Sequence, residues 1–250
     1  MNNPINIVLI NGWAMPKNIW EGFIDKLEAQ ANFGSVRVVD IDRCMTVKEW
    51  VNYLDDLVQP NTLLIGWSLG GQLAVEYSAQ HPEKLVGLCT LQMNPKFVVS
   101  SDWPHGMAME TFFEFKRLAE YDAVKMVKRF GFLVTAKGHE ALQDLKQLQK
   151  MFIADTLPPV DVLLQGLELL ETLDVRAVIS DISFPQLHIY GESDQLVPCA
   201  VAASMSSFIS TKDDLEKGDV ELVAGLSHFP CLGSVTQVID RICKFSGGLS

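Results

Sequence analysis

Short runs of apolar and β-branched residues alternate with longer amphipathic segments in the N-terminal half of the chain. The runs are bounded by Gly, Asn or Asp and cover residues 5–10, 36–39, 63–65 and 85–91. Near-continuous apolar runs are typical of strands buried on both faces, and parallel strands need crossover segments that are usually helical. The pattern therefore predicts an α/β fold with a mostly parallel central sheet flanked by helices.

The strand pattern stops after Leu91 and resumes only at residues 185–190 and 220–223. Helical spacing fills the interval: a helix begins near Phe112, and others are predicted over residues 122–132, 138–154 and 162–173. A last helix is expected over residues 235–245.

This order predicts a core formed by residues 1–93 and 179–250, with an inserted helical cap at residues 94–178. The cap is rich in phenylalanine, which would serve equally well to line an acyl channel or to fill a helix-bundle core. The phenylalanines concerned are Phe112, Phe113, Phe115, Phe130 and Phe132.

Composition excludes several classes of protein. A formal net charge of −11 disfavours nucleic-acid binding and binding to an anionic membrane. The apolar runs are too short to cross a bilayer, and the first residues lack the features of a signal peptide. Five cysteines form no CxxC pair, so they are interpreted as reduced thiols, and we expect a cytoplasmic monomer.

Residues 66–70 match the pattern G-x-S-x-G. The match alone is weak, but a predicted strand precedes it and a predicted helix follows it. In that context the motif indicates a sharp strand-to-helix turn that exposes the hydroxyl of Ser68 as a nucleophile. The alternative is a glycine-rich turn with a capping serine.

A serine nucleophile needs a base, and the base needs an orienting acid. On this arrangement of strands the chain order is Ser, then acid, then His. Asp194 follows the strand at residues 185–190 and is the predicted acid, with Glu192 as an alternative. His228 follows the strand at residues 220–223 and is the predicted base.

Acyl transfer also needs donors for the developing oxyanion. The backbone N–H of Leu69 begins the helix after the nucleophile, and the backbone N–H of Trp13 lies in the loop after the first strand. These two groups are the predicted oxyanion hole.

These residues resemble those of the α/β-hydrolase family, and the likeness extends along nearly the whole chain. Within the family the chain is similar to the carboxylesterases of biotin synthesis. The matching pieces are residues 11–20, 66–71, 102–104, 129–130, 159–163, 191–198, and His228 with Pro230. Where that group has His-Gly after the first strand, this chain has Asn11-Gly12.

The resemblance implies hydrolysis of the methyl ester of pimeloyl-acyl carrier protein, with no metal or organic cofactor. It also implies a set of substrate-binding residues: Trp13, Ser68, Leu69, Phe130, Gly131, Phe132, Leu133, Val134 and His228. Val134 stands where a polar residue is expected.

Charge supports a carrier-protein partner independently. Residues 111–150 carry a net charge of +3, with eight basic and five acidic residues, while the rest of the chain carries −14. Lys125, Lys128 and Arg129 share one helical face and are predicted to dock the acidic carrier. An ordinary solvated helix face is the alternative.

The same framework also serves broad-specificity carboxylesterases, thioesterases, C–C hydrolases and perhydrolases. Ser68 disfavours the dehalogenases and epoxide hydrolases, which use a carboxylate nucleophile. A non-catalytic ligand-binding relative is the alternative of another class, and it would have no need of Ser68, Asp194 and His228 together.

Overall fold

The computed structural model describes residues 4–154, 157–209 and 218–249. Its centre is a six-stranded sheet with the strand order β2-β1-β3-β4-β5-β6, in which every neighbouring pair is parallel. The strands are β1 (Ile5–Ile10), β2 (Phe33–Val39), β3 (Thr62–Trp67), β4 (Leu85–Leu91), β5 (Gln186–Gly191) and β6 (Gly218–Val223). The predicted parallel sheet is confirmed.

Burial along the strands explains their sequences. Every residue of β3 and of β5 is buried, as expected for central strands covered by helices on both faces. At the sheet edge, β2 alternates between buried or half-buried and exposed residues, and its sequence is correspondingly more polar. Since all strands run in the same direction, their carboxyl ends meet at one edge of the sheet, where ligand sites of such folds lie.

Ten α-helices are present in the described residues. They are α1 (Glu21–Glu28), α2 (Val47–Leu57), α3 (Leu69–Gln80), α4 (Met109–Tyr121), α5 (Ala123–Thr135), α6 (Ala141–Ala154), α7 (Val160–Thr172), α8 (Arg176–Asp181), α9 (Ala200–Ile209) and α10 (Val235–Ser246). Helices α2, α3, α8 and α9 form one chain of contacts along the sheet, and α1 packs on α10. The helices predicted from the spacing are present, and α8 and α9 are additional.

Helices α4 to α7 lie between β4 and β5. The chain leaves the sheet over this segment, which is why the strand pattern of the sequence stops there. Helix α4 packs on α5 and α7, α5 packs on α6, and α7 contacts α3 of the core. The two ends of this segment meet where Lys96 pairs with Asp174, through a backbone bridge and a side-chain contact of 3.2 Å.

In the part of the chain that the structure describes, no helix combines the length and the apolar character that crossing a membrane requires. The same residues contain no cluster of three or more His, Cys, Asp or Glu side chains suited to a metal ion. All five cysteines are unpaired.

Candidate active site

Ser68 lies between the last residue of β3 and the first residue of α3, in a backbone conformation that side chains rarely adopt. Its φ is 55° and its ψ is −119°. Such a conformation costs a non-glycine residue about 1–3 kcal/mol and persists only where the surroundings enforce it. The Ser68 N–H donates to the carbonyl of Leu91 at 2.9 Å, which ties the turn to β4. The serine is thereby held at the carboxyl edge of the sheet.

The two glycines of the motif are required by close approach of the backbone. A Cβ at Gly66 would overlap the carbonyl of Gly70, and a Cβ at Gly70 would overlap the backbone of Ile10 and Asn11. Because α3 begins directly against β3 and β1, no side chain fits at either position. The motif therefore fixes the position of Ser68 by packing.

Asp194 lies in the loop that follows β5, and its carboxylate is buried and fully engaged. Its Oδ1 accepts hydrogen bonds from the backbone N–H groups of Leu196 and Val197, at 2.7 and 2.9 Å. Its Oδ2 lies 2.7 Å from Nδ1 of His228. These bonds hold the carboxylate in one orientation toward the imidazole.

His228 lies in the loop after β6 and is only 1% exposed. Its Nε2 is 3.0 Å from Oγ of Ser68, so the imidazole joins the hydroxyl to the carboxylate. An Nδ1–H donated to Asp194 leaves Nε2 as the acceptor for the serine proton. The indole N–H of Trp67, the last residue of β3, donates to the carbonyl of His228 at 2.9 Å. The structure thus brings Ser68, Asp194 and His228 together in the order required for nucleophilic catalysis.

The alternative acid, Glu192, does not reach this site. It is exposed, and its backbone N–H donates to the carbonyl of Val223.

Among the other histidines, His188 is buried inside β5, where its Nδ1 lies 2.7 Å from Oγ1 of Thr90. Burial lowers the pKa of His188 to about 3, so it is neutral at ordinary pH.

The two predicted oxyanion donors are free to bind an acceptor. Neither the backbone N–H of Trp13 nor that of Leu69 donates to an acceptor in the described part of the chain. Leu69 is the first residue of α3, where the helix leaves its N–H groups unsatisfied and the dipole favours negative charge. Trp13 follows β1, the neighbour of β3 in the sheet.

The loop that carries Trp13 is held by the buried side chain of Asn11. Its Nδ2 donates to the carbonyl of Met15 at 3.2 Å and to Oδ1 of Asp40 at 3.1 Å. Its Oδ1 accepts from the N–H of Gly12 at 2.8 Å and from the indole N–H of Trp20 at 3.2 Å. Sequence reasoning did not assign this role; the only signal was an Asn in place of the family's His.

Burial also affects Asp40. Desolvation raises the pKa of its carboxyl, although the hydrogen bond from Asn11 and the charge of Lys17 oppose the shift. The loop of Trp13 is therefore connected to a partly buried carboxylate at the end of β2.

The indole of Trp13 lies under helices α5 and α7. Its Nε1–H donates to the carbonyl of Leu163 at 2.9 Å, and a Cβ at Gly166 would overlap the indole ring. Its ring meets that of Phe130 edge to face, with centroids 4.8 Å apart. A glycine within the leucine-rich sequence of α7 was the sequence signal for this contact, and it was missed.

Beside Trp13 is a small apolar void of about 20 Å³, lined by aromatic and aliphatic side chains. The aromatic ones are Trp13, Phe97, Phe112, Phe115 and Phe130. Three of the five phenylalanines predicted for a channel or a core are therefore at this void. The other two, Phe113 and Phe132, are 47% and 58% exposed.

The predicted substrate-binding residues 130–134 do not all face the site. Phe130 and Val134 are buried on one face of α5, whereas Phe132 points to solvent. Gly131 faces Leu148 and Phe152 instead. Successive residues of a helix are turned by about 100°, so five consecutive residues cannot share one surface. The expectation that Phe132 reaches the site is not met.

The basic residues predicted for docking lie on the outer surface of α5 and are all exposed. Arg129 is 4.0 Å from Glu114, and its guanidinium lies over the ring of Phe115. No carboxylate in the described residues forms an ion pair with Lys125 or Lys128. Lys128 also borders a cavity of about 550 Å³ between α5 and α6, which Ser68 and His228 do not line.

Known proteins match the chain over most of its length. The sequence model of the family described as alpha/beta hydrolase fold matches residues 34–232. A pimeloyl-[acyl-carrier protein] methyl ester esterase from Sodalis glossinidius is 29% identical over 96% of this chain and 93% of the relative. An esterase of the same name from Yersinia enterocolitica is 32% identical over 81% of this chain and 80% of the relative.

Among solved structures, a bromoperoxidase from Bacillus anthracis superposes with a TM-score of 0.81 over 98% of this chain and 93% of that chain. At 19% sequence identity this likeness shows the fold alone. The predicted fold class is confirmed.

Proposed function

The chain belongs to the α/β-hydrolase family and, within it, to the pimeloyl-[acyl-carrier protein] methyl ester esterases, and we propose that it performs their reaction in biotin synthesis. The protein is a serine carboxylesterase that hydrolyses the methyl ester of pimeloyl-acyl carrier protein, releasing methanol. The observation that carries the proposal is the imidazole of His228, which lies 3.0 Å from the hydroxyl of Ser68 and 2.7 Å from the carboxylate of Asp194.

In the first half of the reaction, Oγ of Ser68 attacks the ester carbonyl while Nε2 of His228 takes the hydroxyl proton. Asp194 stabilises the imidazolium that forms. The C–O bond to methanol then breaks, and His228 returns the proton to the departing methoxide. In the second half, a water molecule loses a proton to His228 and attacks the acyl-enzyme; the ester bond to Oγ of Ser68 then breaks, and His228 returns the proton to that oxygen. This restores Ser68 and releases pimeloyl-acyl carrier protein with a free carboxyl group.

The free N–H groups of Trp13 and Leu69 would bind the carbonyl oxygen as it becomes an oxyanion. Removing one such donor from a serine hydrolase costs about 10²- to 10³-fold in kcat. The positions of these two residues support the assignment: Leu69 directly follows the nucleophile, and Trp13 lies in the loop after β1, the strand next to β3. Both donors are main-chain groups, so the side chains at these positions affect the oxyanion only through the path of the backbone.

Residues 94–178 serve in this proposal as a cap over the acyl chain. The void beside Trp13 holds about 20 Å³, which is room for about one water molecule and far too little for a seven-carbon acyl chain. A pimeloyl chain therefore needs α4, α5 or α7 to move outward from Trp13. The aromatic lining suits the methylenes of such a chain.

The exposed basic face of α5 is the proposed docking site of the carrier protein. An acidic carrier is repelled by the net charge of −14 on the rest of the chain and attracted by the +3 of residues 111–150. Lys125 and Lys128 have no ion partner among the described residues, so docking would not need to break an internal pair. The cytoplasmic location and the monomeric state remain predictions.

The experiment that tests the function is complementation of a biotin-requiring strain that lacks its own esterase, combined with hydrolysis of the carrier-linked methyl ester by the purified protein. Wild-type protein should restore growth and release methanol. Ser68→Ala should do neither, whereas Ser101→Ala, a control at an exposed serine, should behave as wild type. Turnover of p-nitrophenyl esters without growth would instead identify a broad-specificity carboxylesterase.

A further inference from the structure

The connection between α5 and α6 packs against the loop that carries His228. The backbone N–H of His139 donates to the carbonyl of Gly225 at 3.1 Å. Gly225 has a φ of +68°, and a Cβ there would overlap the imidazole of His139. Next to it, Gly138 faces the side chain of Ser227. The inserted helices, α4 to α7, therefore contact the residues immediately before His228 through the connection between α5 and α6.

On the other side of His228 the same segment makes a second contact, through Asp144 on α6. One carboxylate oxygen of Asp144 accepts the backbone N–H of Gly233 at 3.2 Å. The residue is only 4% exposed, and among the described residues no Lys, Arg or His pairs with it. The titratable groups that face it are the carboxyl of Glu140, the residue just before α6, and the thiol of Cys231.

Burial raises the pKa of the Asp144 carboxyl, because desolvation disfavours its charge. Burying a carboxylate that has no cationic partner is unfavourable for folding. The helix dipole offsets part of this cost, because Asp144 lies in the first turn of α6, where a negative charge is favoured. The hydrogen bond to the His228 loop is the contact that a leucine would lack.

We propose that Asp144 is a positioning residue for the catalytic base: by holding Gly233, it fixes the loop of His228 when the inserted helices are seated on the core. The proposal rests on the proposed catalytic role of His228. On the sheet side the loop is already held by Trp67. Asp144 and His139 hold it from the side of α5 and α6.

The test compares Asp144→Leu with Asp144→Asn, which keeps an acceptor for the Gly233 N–H. Gln143→Ala, at the exposed neighbouring position of α6, is the control. The main readout is the rate constant for phosphorylation of Ser68 by diethyl p-nitrophenyl phosphate, which requires the base but no acyl pocket. The kcat and KM for p-nitrophenyl acetate and the midpoint of thermal unfolding are measured alongside.

We expect Asp144→Leu to slow phosphorylation and to lower kcat by about 10- to 100-fold, the usual effect of a small misplacement of a catalytic group, with KM little changed. Its thermal midpoint should stay close to that of the wild type, because relief of desolvation offsets the lost hydrogen bond and helix-dipole interaction. Asp144→Asn should restore most of the rate. A rate for Asp144→Leu equal to that of Gln143→Ala would overturn the proposal, and so would an Asp144→Asn protein as slow as Asp144→Leu.

His228→Ala, measured in parallel, separates this proposal from the proposed function. If His228→Ala is phosphorylated as fast as wild type, the assigned base is wrong and the function fails with it. If His228→Ala is inert while Asp144→Leu reacts at the control rate, only the positioning role of Asp144 is wrong.

Discussion

Replacing Gly166 with Ala should damage both stability and catalysis, although the residue touches no reacting atom. The added methyl would overlap Cδ1 and Nε1 of the Trp13 indole, which donates to Leu163 of the same helix. Either α7 moves outward or Trp13 moves. Overpacking of this kind costs about 1–3 kcal/mol, and losing the indole hydrogen bond adds about 1 kcal/mol.

The catalytic effect follows from the backbone of Trp13. If the indole is displaced, the backbone N–H of the same residue, the proposed oxyanion donor, shifts with it. Loss of one oxyanion donor lowers kcat by about 10²- to 10³-fold, and a partial displacement should cost at least about tenfold. We therefore expect a decrease in kcat for p-nitrophenyl butyrate that accompanies a lower free energy of unfolding in urea.

Two other glycine-to-alanine changes are matched controls. A Cβ at Gly22 in α1 meets nothing within 4 Å, and one at Gly131 in α5 makes ordinary contacts of 3.4 Å. Gly22→Ala should raise the free energy of unfolding by about 0.5–1 kcal/mol, as expected for an exposed helix, and should leave kcat unchanged. Gly131→Ala should fold normally. If Gly166→Ala matches Gly22→Ala in both measurements, the inference that α7 positions Trp13 is wrong.

Three further predictions concern the partner, the core and the oxyanion loop. Reversing the charges of Lys125, Lys128 and Arg129 should raise KM for the carrier-linked ester by about tenfold, less so at high salt, and spare p-nitrophenyl butyrate; equal effects on both substrates would contradict docking. Because burial lowers the pKa of His188 to about 3, its contribution to stability is complete above pH 6.5 and is lost as the pH falls toward 3. The free energy of unfolding in urea should therefore fall by about 1.4 kcal/mol for each unit that the pH decreases across that range, and His188→Gln should lack this pH dependence. Equal slopes for the wild type and His188→Gln would contradict the prediction. Asn11→Ala should lower the free energy of unfolding by about 1–3 kcal/mol, since it leaves buried donors unsatisfied, and should lower kcat more than it changes KM; an unchanged melting curve would refute this.

Much of the core was predictable because its signals are local or follow from chain order. The apolar runs predict the strands, and parallel strands bring their carboxyl ends to one edge. That rule places Ser68, Asp194 and His228 near one another although 160 residues separate the first from the last. It does not distinguish Asp194 from Glu192. Only the backbone path of the loop after β5 decides that Asp194 turns inward.

The contacts of the inserted helices were not predictable, because they depend on how separate elements pack. Phe130 and Phe132 are equally apolar in the sequence, yet one packs on Trp13 and the other is exposed. Gly166 differs from its neighbours in α7 only by a missing side chain. Asp144 resembles an ordinary exposed helix residue until α6 is seated on the loop of His228.

The most direct measurement of the central claim is to trap the covalent intermediate. The protein is mixed with p-nitrophenyl butyrate, quenched in acid within the first turnover and digested, and the peptides are analysed by mass spectrometry. We predict a burst of one p-nitrophenolate per protein and a butyryl group on Ser68, both absent from Ser68→Ala. Turnover by Ser68→Ala at the wild-type rate, or a butyryl group on another residue, would contradict the account.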